Sequence, residues 1–350
     1  MANPLVSIVI DNFNYGRYLA CSIESALSQT HPRTEVVVVD DASGDDSREV
    51  IRRYGHRVVP ILLERNSGQG AALNAGFRAS RGDLVLFLDA DDYLYAEAVA
   101  RVVGAWAPGI SKVQFRLHLV DATGRTLDVY PPPEVRFDSG DVVPLLLATG
   151  RYETSVTSGN AFPREVLERI LPVPEREFRI SADGYLVTAA PFLGPVVSLE
   201  EPLGAYRFHG GNAWTYGPGL AARLRNSLQH DAHKFEVVRA RARAAGLSVA
   251  AELGMGDHAH LTTRLASLCL EPARHPYPGD SRLRIALRGM ASSGQARLPW
   301  KRRGLLAAWF AAVGLLPRPV ASRAVTWRLV ASARPPPFDR IFKAVRRFTR

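Results

Sequence analysis

Leu84-Val85-Leu86-Phe87-Leu88-Asp89-Ala90-Asp91-Asp92 sets five consecutive apolar residues directly before three carboxylates. The apolar run has the character of a strand buried on both faces, as in a parallel sheet. The carboxylates then fall at its carboxyl end, where open α/β sheets bind their ligands. Three acids this close repel one another unless a cation lies among them. Hard oxygen ligands suit Mg²⁺ or Mn²⁺, ions that complete their shells with substrate phosphates. An isolated Asp-x-Asp reads as a solvated acidic turn, but its place directly after a buried strand favours the metal-binding reading.

Working outward, the same pattern recurs upstream. Val6 to Ile10 is a short buried strand, and Asp11-Asn12-Phe13-Asn14-Tyr15-Gly16 follows as a loop of turn formers. A helix is expected from about 17 to 29, with Tyr18, Leu19, Ile23, Ala26 and Leu27 on one stripe. Residues 35–39 form the next strand and close on Asp40-Asp41. Ala42 to Asp46 opens a second helix, with Ser43 as its N-cap. A third strand at 58–63 leads to the glycine-containing loop Asn66-Ser67-Gly68-Gln69-Gly70 and a helix at 71–79. Such a loop lets backbone approach a phosphate-bearing ligand, and equally serves as a plain turn. This β-α-β-α-β-α-β order predicts a doubly wound, mostly parallel sheet flanked by helices. The first turn carries neither Gly-x-Gly-x-x-Gly nor Gly-x-x-x-x-Gly-Lys-Ser/Thr, which argues against a dinucleotide oxidoreductase and a P-loop NTPase.

The chain has 350 residues, 47% hydrophobic and 22% charged, enough for a large core and more than one domain. Cys21 and Cys269 lie far apart without a pairing or metal pattern, which reads as a reducing, cytoplasmic compartment. The first residues lack a basic region and are interrupted by Asp11, so they do not read as a signal peptide. No apolar run reaches the roughly 18 residues of a membrane span. The net charge is +10, but from Arg297 onward there are thirteen Lys or Arg and one acid, Asp339. The excess belongs to the tail, so the protein as a whole is not read as nucleic-acid binding.

A series of blocks strongly resembles family 2 glycosyltransferases. They are Val6 to Ile10, Asn14-Tyr15 with Tyr18-Leu19, Ser25 to Gln29, and Val39-Asp40-Asp41-Ala42-Ser43. Asn66-Ser67-Gly68 with Asn74-Ala75-Gly76, and Gly82-Asp83 through Asp92, complete the series over roughly the first 105 residues. Thr157 to Phe162 and Tyr206-Arg207-Phe208-His209-Gly210-Gly211-Asn212 match more loosely. The resemblance implies a GT-A fold with a nucleotide-sugar-binding half (about 1–105) and an acceptor-binding half (about 106–216). It implies transfer of a sugar from a nucleoside diphosphate sugar, a UDP-sugar by preference, with inversion, to a glycan or lipid-linked acceptor. On this likeness Asp41 would bind the nucleotide base, with Asp40, Asn12 and Tyr15 lining its pocket and Asn66, Gly68 and Asn74 on the donor side. Asp91 would bind a divalent ion, Mn²⁺ or Mg²⁺, with Asp89 near the sugar and ribose and also among the metal ligands. His209 would approach the metal or diphosphate, and Arg207 would neutralise phosphate. Asp92 either supports the metal or caps a helix at 93–105.

A sugar hydroxyl is a weak nucleophile at neutral pH, so transfer needs a carboxylate base from the second half. Asp183, in Ser181-Ala182-Asp183-Gly184-Tyr185-Leu186, is the candidate; Glu175 and Glu177 are alternatives. The family often carries Glu-Asp here, where this chain has Ala182-Asp183; Asp183 also reads as a cap for a helix at 185–190. Residues 112–120 and 126–129 predict a hairpin, and 142–149 a helix capped by Asp138 or Ser139. From 217 to 350 the pattern is helical and basic. His230, His233, His258 and His260 read as helix-surface residues rather than metal ligands. The uncharged run 304–316, preceded by Lys301-Arg302-Arg303, and the basic stretch 338–350 suit either a segment on an anionic membrane face or a cap packed on the catalytic part. Two rival functions are a catalytically silent nucleotide-sugar-binding or scaffold protein and a sugar nucleotidyltransferase. The second should carry a glycine- and lysine-rich loop after the first strand, which 11–16 does not provide.

Overall fold

The computed structural model describes residues 3–209, 219–337 and 339–340. In chain order the first part runs β1 (Val6–Asn12), α1 (Gly16–Leu27), β2 (Thr34–Asp40), α2 (Ser47–Arg53), β3 (Val59–Leu62), α3 (Gln69–Ala79) and β4 (Leu84–Asp89). Next come β5 (Tyr93–Leu94), α4 (Ala98–Ala105), β6 (Lys112–Asp121), β7 (Thr126–Tyr130), α5 (Val143–Thr149) and β8 (Asn160–Pro163). Then follow α6 (Arg164–Ile170), α7 (Asp183–Ala189) and β9 (Val196–Phe208). The carboxyl-terminal region is α8 (Leu220–Ala244), α9 (His258–Leu270), α10 (Arg282–Gln295), α11 (Trp300–Leu315) and α12 (Arg318–Leu329).

The strands form one mixed sheet in the order β3-β2-β1-β4-β8-β6-β9-β5, with β7 paired to β6. β3, β2, β1 and β4 are parallel, β8 runs antiparallel between β4 and β6, and β9 is parallel to β6. A doubly wound half is thus joined to a mixed half, as the resemblance implies.

Strand alternation builds two cores, one on each face of the sheet. Val6, Ile8, Ile10, Leu84, Leu86 and Leu88 pack with α1, α2 and α4. Val9, Val37, Val39, Val85 and Phe87 pack with α3, α6 and α7. This is why the run at 84–88 is continuously apolar and the run at 6–10 is interrupted only by Ser7, which is buried and hydrogen-bonded to Glu35 and the Gly82 amide.

Several expected caps are not formed. α2 begins at Ser47, not near Ser43, whose hydroxyl instead accepts from the Asn14 amide at 2.8 Å. Asp92 does not cap a helix at 93: Tyr93–Leu94 is a strand and α4 starts at Ala98. Asp138 accepts from the Glu153 amide, and the Ser139 hydroxyl donates to Val196 O, so neither caps α5. α7 starts at Asp183 itself, with Ala182 at the cap position, so Asp183 is not a cap either. His260 is 1% exposed and is a core residue, not a surface one.

The boundary expected at 216/217 does not separate two independent cores. Leu224 and α9–α12 share one cluster, but Phe235, Val238 and Leu253 pack with Val142, Leu146, Tyr152 and Val196 of the sheet region. Gly210, Gly211 and Asn212 of the Tyr-Arg-x-His block, and the basic stretch from Phe338, apart from Asp339 and Arg340, lie outside the described residues.

Candidate active site

Parallel register places Asp11 at the end of β1 beside Asp89 at the end of β4. Asp89, Asp91 and Asp92 each offer an oxygen, and these atoms lie within 4.8 Å of one another. Each acid has a distinct hold. Gln69 Nε2 donates to Asp89 Oδ1 at 2.8 Å. His209 Nε2 lies 2.9 Å from Asp91 Oδ2. Asp92 accepts from the Arg207 amide at 2.8 Å through Oδ1 and from the Ser158 hydroxyl at 2.6 Å through Oδ2.

Burial, reinforced by neighbouring carboxylates, raises the Asp89 and Asp92 carboxyls well above the usual range. Asp11 is pushed up to about 7, first by burial and also by the Asp91 charge, while a hydrogen bond with Gln69 opposes the shift. Its Oδ1 is buried without a hydrogen-bond partner. A cluster whose ionised form is disfavoured, and which keeps an unsatisfied oxygen, fits a divalent cation. Because both Asp92 oxygens are already engaged, Asp89 and Asp91 are the better placed ligands.

The cluster opens into a cleft of about 700 Å³. Asn12, Tyr15, Asp41, Asn66, Gly68, Asp89, Asp91 and Asp183 line it. Asp41 accepts from the amides of Ser67 and Gly68, both at 2.7 Å, and so fastens the 66–70 loop. Arg179 donates to the backbone and side-chain oxygens of Asn66 from the opposite side.

Four candidates are set back from the cleft. Asp40 is fully buried and accepts from Asn12 Nδ2, the Ser43 amide and Arg48 Nε, which braces the end of β2. Asn74 clamps Val173 through its amide and carbonyl, and also reaches Glu175. Arg207 donates to Asp91 O at 2.8 Å and stacks over Tyr18 and Tyr93 behind the acidic turn. His209 is buried against Tyr15 and Tyr18.

Asp183 lines the same cleft and is half-buried; burial raises its carboxyl, opposed by the Gly184 amide and the charges of Lys234 and Lys112. Neither Glu175 nor Glu177 lines the cleft. Gln69 joins the two walls: its Oε1 accepts from the Ala182 amide at 2.9 Å while its Nε2 holds Asp89.

Asp11, Gln69 and Ser158 were not anticipated as site residues, nor were Arg151, Glu153, Ser227, His230, Asp231 and Lys234, which all line the cleft. The last four come from α8. Asp231 is 3% exposed and contacts Lys234, Arg151 and His260 at 2.8, 3.2 and 2.8 Å. Burial would raise its carboxyl, but these partners hold it well below the usual range. Burial depresses His230 to about 3, which keeps that imidazole neutral.

Residues 7–118 match the family described as Glycosyl transferase family 2. An uncharacterized glycosyltransferase of Nostoc sp. is 38% identical over 212 residues, 59% of this chain and 66% of that protein. The succinoglycan biosynthesis protein ExoO of Rhizobium meliloti is 30% identical over 217 residues, 59% of this chain and 61% of that protein. The chain thus spans just under two thirds of the length of these relatives. The crystal structure of S. aureus TarS 1-349 in complex with UDP-GlcNAc shares the fold, with a TM-score of 0.52 at 16% identity over 93% of this chain and 91% of that one.

Proposed function

We propose that this chain, which belongs to glycosyl transferase family 2, moves a sugar from a nucleoside diphosphate sugar to an acceptor hydroxyl with inversion. The observation that carries this reading is the three-carboxylate cluster at the end of β4, which shares one cleft with Asp183. Asn12, Tyr15, Asp41 and the 66–70 loop form the wall that would receive the nucleotide. Asp89 and Asp91 would hold a divalent ion, with His209 and Asp92 behind them. Such an ion, when bound, offsets the charge that develops on a departing diphosphate.

The chain's own part in the transfer is positional and basic. Asp183 accepts the proton of the acceptor hydroxyl as that oxygen bonds to the anomeric carbon. The bond from that carbon to the diphosphate oxygen breaks, and its electron pair leaves with the nucleoside diphosphate. Inversion requires base and leaving group on opposite faces of the sugar, so Asp183 and the acidic cluster, which line one cleft, would flank the bound sugar. A raised carboxyl suits a base, because a stronger base takes the proton more readily. The acceptor is read as a glycan or lipid-linked glycan of envelope polysaccharide synthesis, a reading supported by the name of the succinoglycan relative. The basic carboxyl-terminal region suits a peripheral place on the cytoplasmic membrane face.

The test is release of nucleoside diphosphate from a panel of nucleotide sugars with Mn²⁺ and oligosaccharide or lipid-linked acceptors. Wild type should turn over one donor, and Asp183→Asn should retain nucleotide binding but lose transfer. The anomeric configuration of the product is read by NMR. No turnover of any donor by folded protein, or a product of retained configuration, would reject the proposal.

A further inference from the structure

Helices α10 and α11 pack antiparallel. Arg282 donates to Val313 O at 2.6 Å, Gly289 lies against the Phe310 ring, and Arg303 donates to Gly294 O at 2.9 Å. Ile285 and Ala286 of α10, with Leu306, Phe310 and Val313 of α11, are buried in the carboxyl-terminal core. The outer side of the pair is apolar as well. On α10, Leu283, Leu287 and Met290 recur at i, i+4 and i+7 and are 53%, 56% and 39% exposed. On α11, Trp300 and Leu315 are 73% and 75% exposed, and Ala308 lies exposed between them. By the helical repeat and the antiparallel register, the two rows border the same seam on the side away from the core.

Charge indicates what covers this face. Residues 281–350 hold sixteen Lys or Arg and one acid, a net +15, while the other 280 residues hold 28 basic and 33 acidic residues, a net −5. Arg288 on α10 and Lys301 at the start of α11 lie on the helix flanks beside the apolar rows, as does Arg284, which pairs with Glu252 at 2.7 Å. An apolar face with a basic rim and an exposed tryptophan at its edge is the pattern of helices that lie in an anionic interface. A second copy docked on the same face would bring two basic rims together. Among the described residues no helix is long and apolar enough to cross a membrane, so such a contact would be with the surface.

We infer that the outer face of α10 and α11 docks on an anionic lipid bilayer, with Leu283, Leu287, Met290, Trp300 and Leu315 entering the interface. This rests on the peripheral reading above and assigns its surface. Within the 304–316 run singled out in the sequence, Leu306, Phe310 and Val313 turn inward while Leu305 and Leu315 stay exposed, and half of the docking face comes from α10.

The test is flotation of the full chain with two vesicle types, pure phosphatidylcholine and an equal mixture of phosphatidylcholine and phosphatidylglycerol. Wild type should float with the anionic vesicles and not with the neutral ones. Leu283→Gln combined with Leu287→Gln should lower the partition coefficient at least about tenfold. Arg288→Glu combined with Lys301→Glu should do so by a similar factor. Thermal melting of each variant confirms that it is folded. Unchanged flotation of the leucine variant overturns the face assignment and leaves the peripheral reading standing. No flotation of wild type with anionic vesicles overturns both. A wild-type dimer in sedimentation velocity that the leucine variant loses, without flotation, gives the face to a second copy. The nucleotide-induced melting shift, measured on the same samples, reports on the donor site separately.

Discussion

Gly68→Ala would strike the junction between the two walls of the cleft. Gly68 has φ +91° and ψ 169°, a region that L residues rarely enter. A Cβ there would lie 2.4 Å from Arg179 Cγ and 2.6 Å from Arg179 O. The flexible side chain could swing away, but the carbonyl could not, since it accepts from the Gln69 amide at 2.8 Å. Accommodating alanine therefore means moving the backbone at 179, four residues before Asp183. Strain at such backbone angles costs about 1–3 kcal/mol. Loss of the Gln69–Arg179 hydrogen bond adds about 1 kcal/mol, for a total of about 2–4 kcal/mol. Gly55→Ala is the control. It also has positive φ, +52°, but nothing lies within 4 Å of its Cβ. Its cost should stay near ~1 kcal/mol, from backbone angle alone. Urea unfolding measures both. In steady-state assays Gly68→Ala should also lower kcat, since a shift of about 1 Å in a catalytic group costs on the order of a hundredfold. Equal stability loss in the two variants, with wild-type kcat in Gly68→Ala, would refute the coupling of the 66–70 loop to Asp183, the proposed base.

Three further outcomes are expected. Mn²⁺ at a hundredfold its dissociation constant should stabilise wild type by ~2.7 kcal/mol; thermal melting should show EDTA reversing the shift and Asp91→Asn abolishing most of it, and an equal shift in that variant would contradict the ligand assignment. Because burial raises the Asp183 carboxyl and the base must be ionised, kcat/KM should fall as pH drops through that raised value. Its acid limb should therefore lie above the ordinary Asp value of about 3.9, and an ordinary limb would remove Asp183 from the role. Asp231→Ala leaves Lys234, Arg151 and His260 without their shared buried partner and should cost about 3–5 kcal/mol in urea unfolding. Since the Asp231 carboxyl is held well below the usual range, its contribution is intact above the unfolded-state Asp value and lost as pH falls below it.

The first half was legible because its central strands β1, β2 and β4 are buried on both faces. Leu84 to Leu88 leaves no polar position to mistake, and Val6 to Ile10 only the small Ser7; the carboxyl end of the 84–88 run announces Asp89 and Asp91. Caps were harder to read. Ser43 and Asp92 have the right residue type for N-caps, but a short polar side chain serves a neighbouring loop as readily as a helix end. Here Ser43 ties Asn14, and Asp92 ties Arg207 and Ser158. Asp11 was hidden by its context, since an acid after an apolar run also marks the start of a turn. Only the parallel register shows that it lies beside Asp89. Gln69 carries no chemical signature at all; its role comes from bridging residues 20 and 113 positions away. The α8 contribution was out of reach for the same reason, because nothing local in His230, Asp231 or Lys234 points at a cleft built from residues far earlier in the chain.

The buried residues of α8 explain why the helical region cannot be treated as an appendage. Leu224, Leu228, Asp231, Phe235, Val238 and Ala242 form one stripe at helical spacing. Its start, at Leu224, belongs to the core of α9–α12, and its end, at Phe235 and Val238, belongs to the core against Val142, Leu146 and Tyr152. One helix therefore spans both cores, and Asp231 falls between them, reaching His260 of α9 on one side and Arg151 of the cleft wall on the other. Burying a carboxylate there is costly unless every partner is in place, so the wall that would meet an acceptor is complete only when α9 is docked. α9 packs in turn against α10, which carries the inferred bilayer face. Orientation on a membrane and assembly of the acceptor wall then depend on the same run of packed helices. An acceptor held at the bilayer would meet a cleft fixed in position by the surface that anchors it.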